Sequence, residues 1–514
     1  MNQPLEVARD AATATRKRRL ACTGQSERTI LLGTILIVSA VSAATAVVLT
    51  QYYSVDVLSS LLAFIPQDCW LNLGTNIGRH CFSDHTLVTD VGMRPNPWQP
   101  GLILLPPDNQ PWLNAYPAAA MLPHLLFGLP AKWLGAPQLG LISYLLALTI
   151  AVLSPAVWAA RGARGLERVV VFVALGAAAI PVWAVIDRGN SVGFVVPIAL
   201  VFLVALCRRR WGLVTIMVIL AALIKPQFAV LAVALLAARQ WRWGGLALGG
   251  VAISNIAAYL LWPRDFPQTI TQSIQVLTHF GSSFVWLTDL RNMSFSRALL
   301  LIPDAVKGAQ TGGKIPDDFL TGPRLLTGYA ILVIVVVCML ALGRRIPPVM
   351  AGIVLLAVAT LFPSVVVAYY LVFVLPVAAL VVRDPDGPPG SGIFDRLATL
   401  GDRRRAVGIW VSLATALSMA QVAIPILYQV PTLGQLGLKG ASGTTLFAVT
   451  TVPLTPFLWL IACAVIIVSY ARRPALAPDT DHGVAREGPL DSAVSTSAHT
   501  SGLMTQSSRR MVWD

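Results

Sequence analysis

The chain has 514 residues, 56% of them hydrophobic and 12% charged, and carries a net charge of +14. Soluble domains carry about 25% charged residues, so this composition excludes an ordinary soluble fold and indicates a polytopic membrane protein. The basic residues stand in short clusters between apolar runs, a placement that argues against nucleic-acid binding and for topology set by the positive-inside rule.

Residues 1–28 form a basic N-terminal segment that contains Arg16-Lys17-Arg18-Arg19. A span needs about 20 apolar residues. The runs read as spans are 29–50, 138–159, 168–186, 191–206, 212–224, 227–238, 244–262, 324–342, 347–363, 366–382, 406–427 and 448–470. The first has a rival reading, in which 30–41 is the core of a signal peptide cleaved near Ala44-Thr45-Ala46. The runs 212–224 and 227–238 are short and read as a helical hairpin broken at Lys225-Pro226, because proline disfavours helix at the residue before it.

These elements predict an all-α polytopic membrane protein with about 12 transmembrane helices and both termini cytoplasmic. The segments 1–28, 160–168, 207–211, 239–243, 343–346, 383–405 and 471–514 then share one face. They hold 26 of the 38 Lys and Arg residues, including Arg208-Arg209-Arg210 and Arg403-Arg404-Arg405. Residues 471–514 read as a disordered cytoplasmic tail, rich in Ser, Thr and Pro without apolar periodicity. The stretch 384–391 (DPDGPPGS) reads as a linker. The transmembrane domain is thus 29–470, with two long outer loops, 51–137 and 263–323. The first loop includes 116–130 (YPAAAMLPHLLFGLP), an amphipathic piece too short to span and suited to the interface.

Of six cysteines, Cys22 and Cys207 fall on the cytoplasmic side, Cys338 and Cys463 within spans, and Cys69 and Cys81 in the first outer loop. A Cys69–Cys81 disulfide would order that loop by about 3 kcal/mol; two free thiols are the alternative. No spacing of His, Cys, Asp or Glu suits a metal, and none is expected.

Two outer turns carry cations: Asp187-Arg188-Gly189-Asn190, and Lys225 at the tip of the next hairpin. A cation there can neutralise a phosphate while Gly and Asn admit its close approach. The bland readings are an internal Asp187–Arg188 pair and a snorkelling lysine.

The stretch Asp187 to Gly244 resembles polyprenol-phosphate-mannose-dependent mannosyltransferases of glycosyltransferase family 87. The elements that carry the resemblance are Gly189-Asn190, Arg208 to Arg210, Lys225-Pro226, and Arg239 with Arg242. Asn190 stands where Gln is common in the family. Weaker echoes are Asn114-Ala115-Tyr116-Pro117, Asn292-Met293-Ser294-Phe295, and Ser364 followed by Tyr369-Tyr370, where some members carry histidines. The resemblance covers roughly residues 50–380.

The resemblance implies a C-type glycosyltransferase fold and a sugar donor carried on polyprenyl phosphate. It implies transfer to a glycolipid or glycan acceptor on the outer face of the plasma membrane, with inversion at the anomeric carbon and no cofactor. Mannose is favoured; arabinose fits the same residues. A catalytic acid is expected in the first outer loop, where Asp56, Asp68, Asp84, Asp90 and Asp108 are the choices. Asp68, followed by Trp70, Asn72 and Gly74, matches the family pattern best, and a helix cap is its competing role. Arg188 and Lys225 are expected on the phosphate, Asn190 and Asn292 on sugar or phosphate, and Arg291 as a reserve cation. Tyr369 and Tyr370 complete the substrate-binding set. Trp70, Tyr116 and Trp98 are either sugar-stacking rings or interface anchors. The rival classes are a transporter or lipid-carrier flippase, and an envelope scaffold. Transporters keep ionisable groups near the bilayer midplane or show repeated halves; these spans hold almost none, and the exceptions, Lys225 and Asp187, fall at the outer ends.

Overall fold

The computed structural model describes residues 25–62, 82–100, 104–105, 110–111, 113–313, 315–433 and 442–472. The basic N-terminal cluster, Asp68, Trp70, Cys69, Cys81, Asp108 and the tail beyond 472 lie outside the described residues.

A helix or helix run stands at each of the twelve apolar runs. Five are long and apolar enough to cross a membrane: Glu27–Tyr53, Pro137–Ala160, Trp241–Leu261, Thr321–Arg345 and Val452–Ala471. A sixth forms if the pair Leu166–Ala177 and Ile180–Arg188, bent by 45°, counts as one span. These helices define a membrane protein. The other six apolar helices have 10–17 residues, short of the roughly 20 a single span requires. Two of the six are buried along almost their whole length. Every residue of Val349–Leu361 and of Val374–Val382 is buried, so these short helices are apolar all round because other helices surround them. The long helices stand outside them, with only 17% of the Glu27–Tyr53 window and 22% of the Thr321–Arg345 window buried.

Two sequence expectations fail at the end of the chain. The run 406–427 is helical only over Arg405–Met419. Residues Ala423–Leu433 instead form strand β1, paired antiparallel with β2, Ser442–Thr450. The expected span 448–470 accordingly begins as an α-helix at Thr455. Short apolar runs rich in Ile, Val, Tyr and Thr suit either structure, and the hairpin packs against Val57–Leu62, where the Ser60 hydroxyl accepts from the Ala448 amide at 3.0 Å. The expected hairpin break does occur: helix Trp211–Ile224 stops, Lys225 is extended, and a 3₁₀ turn starts at Pro226.

The segments predicted to share the cytoplasmic face are tied to one another. Glu27 takes Arg403 at 2.8 Å and Arg405 at 2.9 Å, Arg28 takes Glu167 at 2.7 Å, and Asp386 takes Arg208 at 2.8 Å and Arg396 at 2.6 Å. The turns at 84, 116, 188, 225 and 370 meet at the opposite end, as described below.

Candidate functional site

Helix α1, Ser83–Gly92, builds the site from the first long loop. Asp84, His85, Leu87, Val88, Thr89 and Val91 are all buried, so the helix is enclosed on most sides and its packing fixes Asp84. The helix meets the C-terminal end of α2, Ile180–Arg188, which closes at Gly189 in a left-handed conformation, φ 65°. A Cβ on Gly189 would lie 3.3 Å from the Phe82 Cβ and 3.4 Å from its carbonyl oxygen. Glycine is therefore needed twice, for the turn and for the approach of α1. Gly189→Ala is expected to destabilise the protein by about 1–2 kcal/mol. It should also lower any activity of this site more than that loss explains, because Asp84 is displaced; thermal melting measured beside activity checks both.

Asp84 is almost fully buried and holds a hydrogen-bond donor on each oxygen. Its Oδ1 accepts from Arg188 Nε at 3.1 Å and its Oδ2 from Asn190 Nδ2 at 2.6 Å. The second N–H of Asn190 goes to the Tyr116 hydroxyl at 2.8 Å, and Asn190 Oδ1 accepts from the Val192 amide at 2.9 Å. Burial pushes the Asp84 carboxyl above its ordinary value; the Asn190 hydrogen bond, the Lys225 charge and the Tyr116 hydrogen bond oppose that shift.

Tyr116 is positioned locally. The Asn114 side chain accepts its amide at 3.1 Å, and Trp98 Nε1 donates to its carbonyl at 2.9 Å. Its ring carries Lys225, whose ammonium lies 4.0 Å from the Tyr116 centroid and 5.7 Å from that of Tyr370. Tyr370 stacks on Tyr369 at 5.1 Å. Lys225 is only 8% exposed, yet among the described residues it has no ion pair and no hydrogen bond from its ammonium. Aromatic faces attract a cation but leave its three N–H donors open.

Beneath this cluster, the His85, Tyr144 and His124 rings stack, at 4.2 Å for His85–Tyr144 and 5.1 Å for His124–Tyr144. The Tyr144 hydroxyl donates to the Gly189 carbonyl at 2.9 Å. Burial, with the Lys132 charge, lowers His85 to about 4, which keeps its imidazole neutral at physiological pH.

The structure brings together four of the predicted site residues, Arg188, Asn190, Lys225 and Tyr370, with Tyr369 beside them. Asn190 holds Asp84 and Tyr116 rather than offering its amide to a ligand. Asn292 is likewise fully used. Its Nδ2 donates to the Trp286 and Ser364 carbonyls at 3.2 and 2.8 Å, and its Oδ1 accepts from the Ser294 and Val366 amides, both at 3.0 Å. It clamps the loop 263–323 to the segment that leads into Tyr369. Arg291 is paired with Asp289 and lies within electrostatic reach of Arg188.

Among the described loop acids, Asp56 caps Val57–Leu62 through the Ser59 amide at 3.1 Å, and Asp90 pairs with Lys132. Asp84 alone of these three faces the cations at 188 and 225. Trp98, only 2% exposed, packs on Tyr259 and Trp262, so it is core rather than a membrane anchor or sugar platform. Sequence reasoning passed over His85, His124 and Tyr144, and ranked Asp84 behind Asp68.

No group of three or more His, Cys, Asp or Glu side chains among the described residues could hold a metal ion. Fold and site together define a mainly helical membrane protein with a buried, cation-bearing polar cluster at one end of its helices. The chain matches no protein-family model, no curated protein and no solved structure.

Proposed function

We propose that the chain is a glycosyltransferase of the C-type architecture. It transfers a sugar from a polyprenyl-phosphate donor to a glycolipid or glycan acceptor at the outer face of the plasma membrane. Twelve crossings, with the six shorter helices as its inner layer, and two cytoplasmic termini accompany this reading. Mannose is the favoured sugar on the resemblance to glycosyltransferase family 87; arabinose on the same carrier is the other.

One observation carries the proposal: the Lys225 ammonium, buried against Tyr116 and Tyr370 without an ion pair among the described residues. A buried cation is costly unless something anionic compensates it. A phosphate bonded to carbon supplies that charge from the membrane side without a nucleotide or metal. Beside it, Asp84 is the carboxylate able to accept the proton of an acceptor hydroxyl. The hydroxyl oxygen bonds to the anomeric carbon as the bond from that carbon to the phosphate oxygen breaks. The electron pair leaves with the polyprenyl phosphate, whose growing charge Lys225 stabilises. A single displacement of this kind inverts the anomeric centre.

The position of the ionisable groups supports chemistry at one end over alternating access. Within the apolar helices, Asp, Glu, Lys and Arg occur only in the first or last turns. A carrier would need such groups near mid-depth.

The test is reconstitution of the full chain in nanodiscs with a radiolabelled polyprenyl-phosphate sugar and an extracted membrane glycolipid fraction. A labelled product with a new glycosidic bond supports the reading. Movement of donor across the bilayer of sealed proteoliposomes made from the same protein, without that bond, would replace it with the flippase reading.

A further inference from the structure

At the far end of helix α3, Val195–Cys207, an open cleft of about 790 Å³ is lined by Cys207, Arg208, Arg209, Arg210, Asp386, Arg396 and Leu400. We propose that this cleft binds a phosphate group, that of an anionic phospholipid headgroup, independently of the site around Asp84.

Two of its arginines are locked in place. Arg208 donates to Asp386 at 2.8 Å and to the Pro385 carbonyl at 3.1 Å. Arg396 donates to Asp386 at 2.6 Å and to the Cys207 carbonyl at 3.1 Å. These contacts join the turn after α3 to the segment 384–396 and pre-order the cationic wall.

The other two are unengaged. Arg209 and Arg210 are exposed, and among the described residues their side chains have no ion pair, hydrogen bond or ring contact. Arg209 is also in a costly conformation. The Arg210 amide bonds to the Ala205 carbonyl and the Arg209 amide to the Leu206 carbonyl, at 2.9 and 3.2 Å, the bond pair that closes a helix through a left-handed residue. That residue is ordinarily glycine; here it is Arg209 at φ 52°, against a steric penalty for any side chain. The next basic turn repeats the geometry at Arg239, but that guanidinium lies over the Trp241 ring, 5.8 Å away. Arg209 has no such partner. Complementing the dipole of α3 needs a cation in its last turn, not one forced into the glycine position.

The surroundings select the ligand. The guanidinium fork matches phosphate oxygens in pairs. The following helix, Trp211–Ile224, starts at this turn with no side-chain cap on its N-terminus, which adds open backbone donors for an anion. Leu400, 62% exposed, gives the cleft an apolar edge, and the exposed Trp241 and Trp243 lie on the adjacent helix, with Trp243 against Gly212. Exposed tryptophans near arginines mark the depth of lipid headgroups. A soluble phosphate would use the same arginines, and the experiment separates the two sources.

The full chain is released from nanodiscs of phosphatidylcholine with or without phosphatidylglycerol and weighed by native mass spectrometry. Wild type is expected to retain one phosphatidylglycerol in preference to phosphatidylcholine. Arg209→Gln with Arg210→Gln should weaken that retention about 30-fold, at roughly fivefold for each arginine near a lipid surface. Neither side chain holds an ion pair among the described residues, so the double variant should melt like wild type. Arg209→Gly provides a second arm: relief of the strained turn should raise the melting temperature while phosphatidylglycerol retention falls. Inorganic phosphate is added in the phosphatidylcholine discs. If it stabilises wild type but not the double variant, while phosphatidylglycerol shows no preference, the site stands and its source is a soluble anion. Lipid and phosphate binding that are the same in all three proteins would overturn the proposal.

Discussion

Asp84→Asn is expected to lower sugar transfer by about 10²- to 10⁴-fold, the range over which a positioned general base acts, while donor binding is kept or tightened. The reasoning starts from geometry. Asparagine has nearly the shape of aspartate and can still accept the Asn190 bond that now measures 2.6 Å. What it loses is the negative charge, and with it both the proton acceptor and the partner of Arg188. Removing that negative charge makes the surroundings of Lys225 more positive, so an anionic donor should bind at least as well as before. A structural role predicts otherwise: loss of the Arg188 pair would lower donor affinity and melting temperature together.

The pH profile gives an independent reading of the same residue. A base must be ionised to work, so the rate should rise with pH and level off once the carboxyl is deprotonated. Because burial raises Asp84 from 3.8, that rising limb should lie above the ordinary carboxylate range, and it should vanish in Asp84→Asn. Asp68→Asn, made in parallel, separates the two acids. Transfer that survives at Asp84→Asn and disappears at Asp68→Asn would return the role to Asp68.

The contrast between these acids shows what the sequence made legible. The position of the apolar runs, the break at Lys225-Pro226 and the convergence of the turns at 188, 225 and 370 were all readable, because proline chemistry and span length act locally. The choice among loop acids was not. Asp68 is favoured in the sequence by its resemblance to a family pattern, and it lies outside the described residues. Asp84 lies on α1, whose Val88 and Val91 share its buried face. An acid on a helix enclosed on most sides is one that tertiary packing can hold rigidly, and that enclosure is visible only in the fold. The two asparagines mislead for a related reason. Asn190 and Asn292 are polar residues at a functional end, yet each has its amide committed to the protein's own groups. Sequence marks where polar chemistry collects, not which donors the fold leaves open. The hairpin at 423–450 was lost because an apolar run shorter than a span reads as helix or strand equally well until its partner is known.

Lys225→Met is expected to weaken apparent donor affinity by about 10- to 150-fold, the worth of one charge-assisted hydrogen bond of about 1.5–3 kcal/mol. The maximal rate should fall by a further 10²- to 10³-fold if the ammonium stabilises the departing phosphate as other preorganised donors stabilise developing charge. Stability should move the opposite way. The ammonium is 8% exposed and lies against the rings of Tyr116 and Tyr370; the nearby Asp84 charge offsets only part of the cost of burying it, so in the absence of donor its charge is a net desolvation cost. A thioether of similar length fills the same aromatic box without that cost, and the melting temperature of Lys225→Met should equal or exceed that of wild type. Lys225→Arg keeps the charge on a larger, planar head and should retain part of the donor affinity while its poorer fit between the two rings lowers stability. Donor binding measured by titration into nanodiscs, alongside melting curves for the three proteins, decides the matter. A lysine present only to reach the headgroups would give unchanged donor affinity in Lys225→Met. A lysine holding the fold together would give a lower melting temperature. A phosphate-binding lysine gives lost affinity in a protein at least as stable as before, because the group that the substrate needs is the one the empty fold is better without.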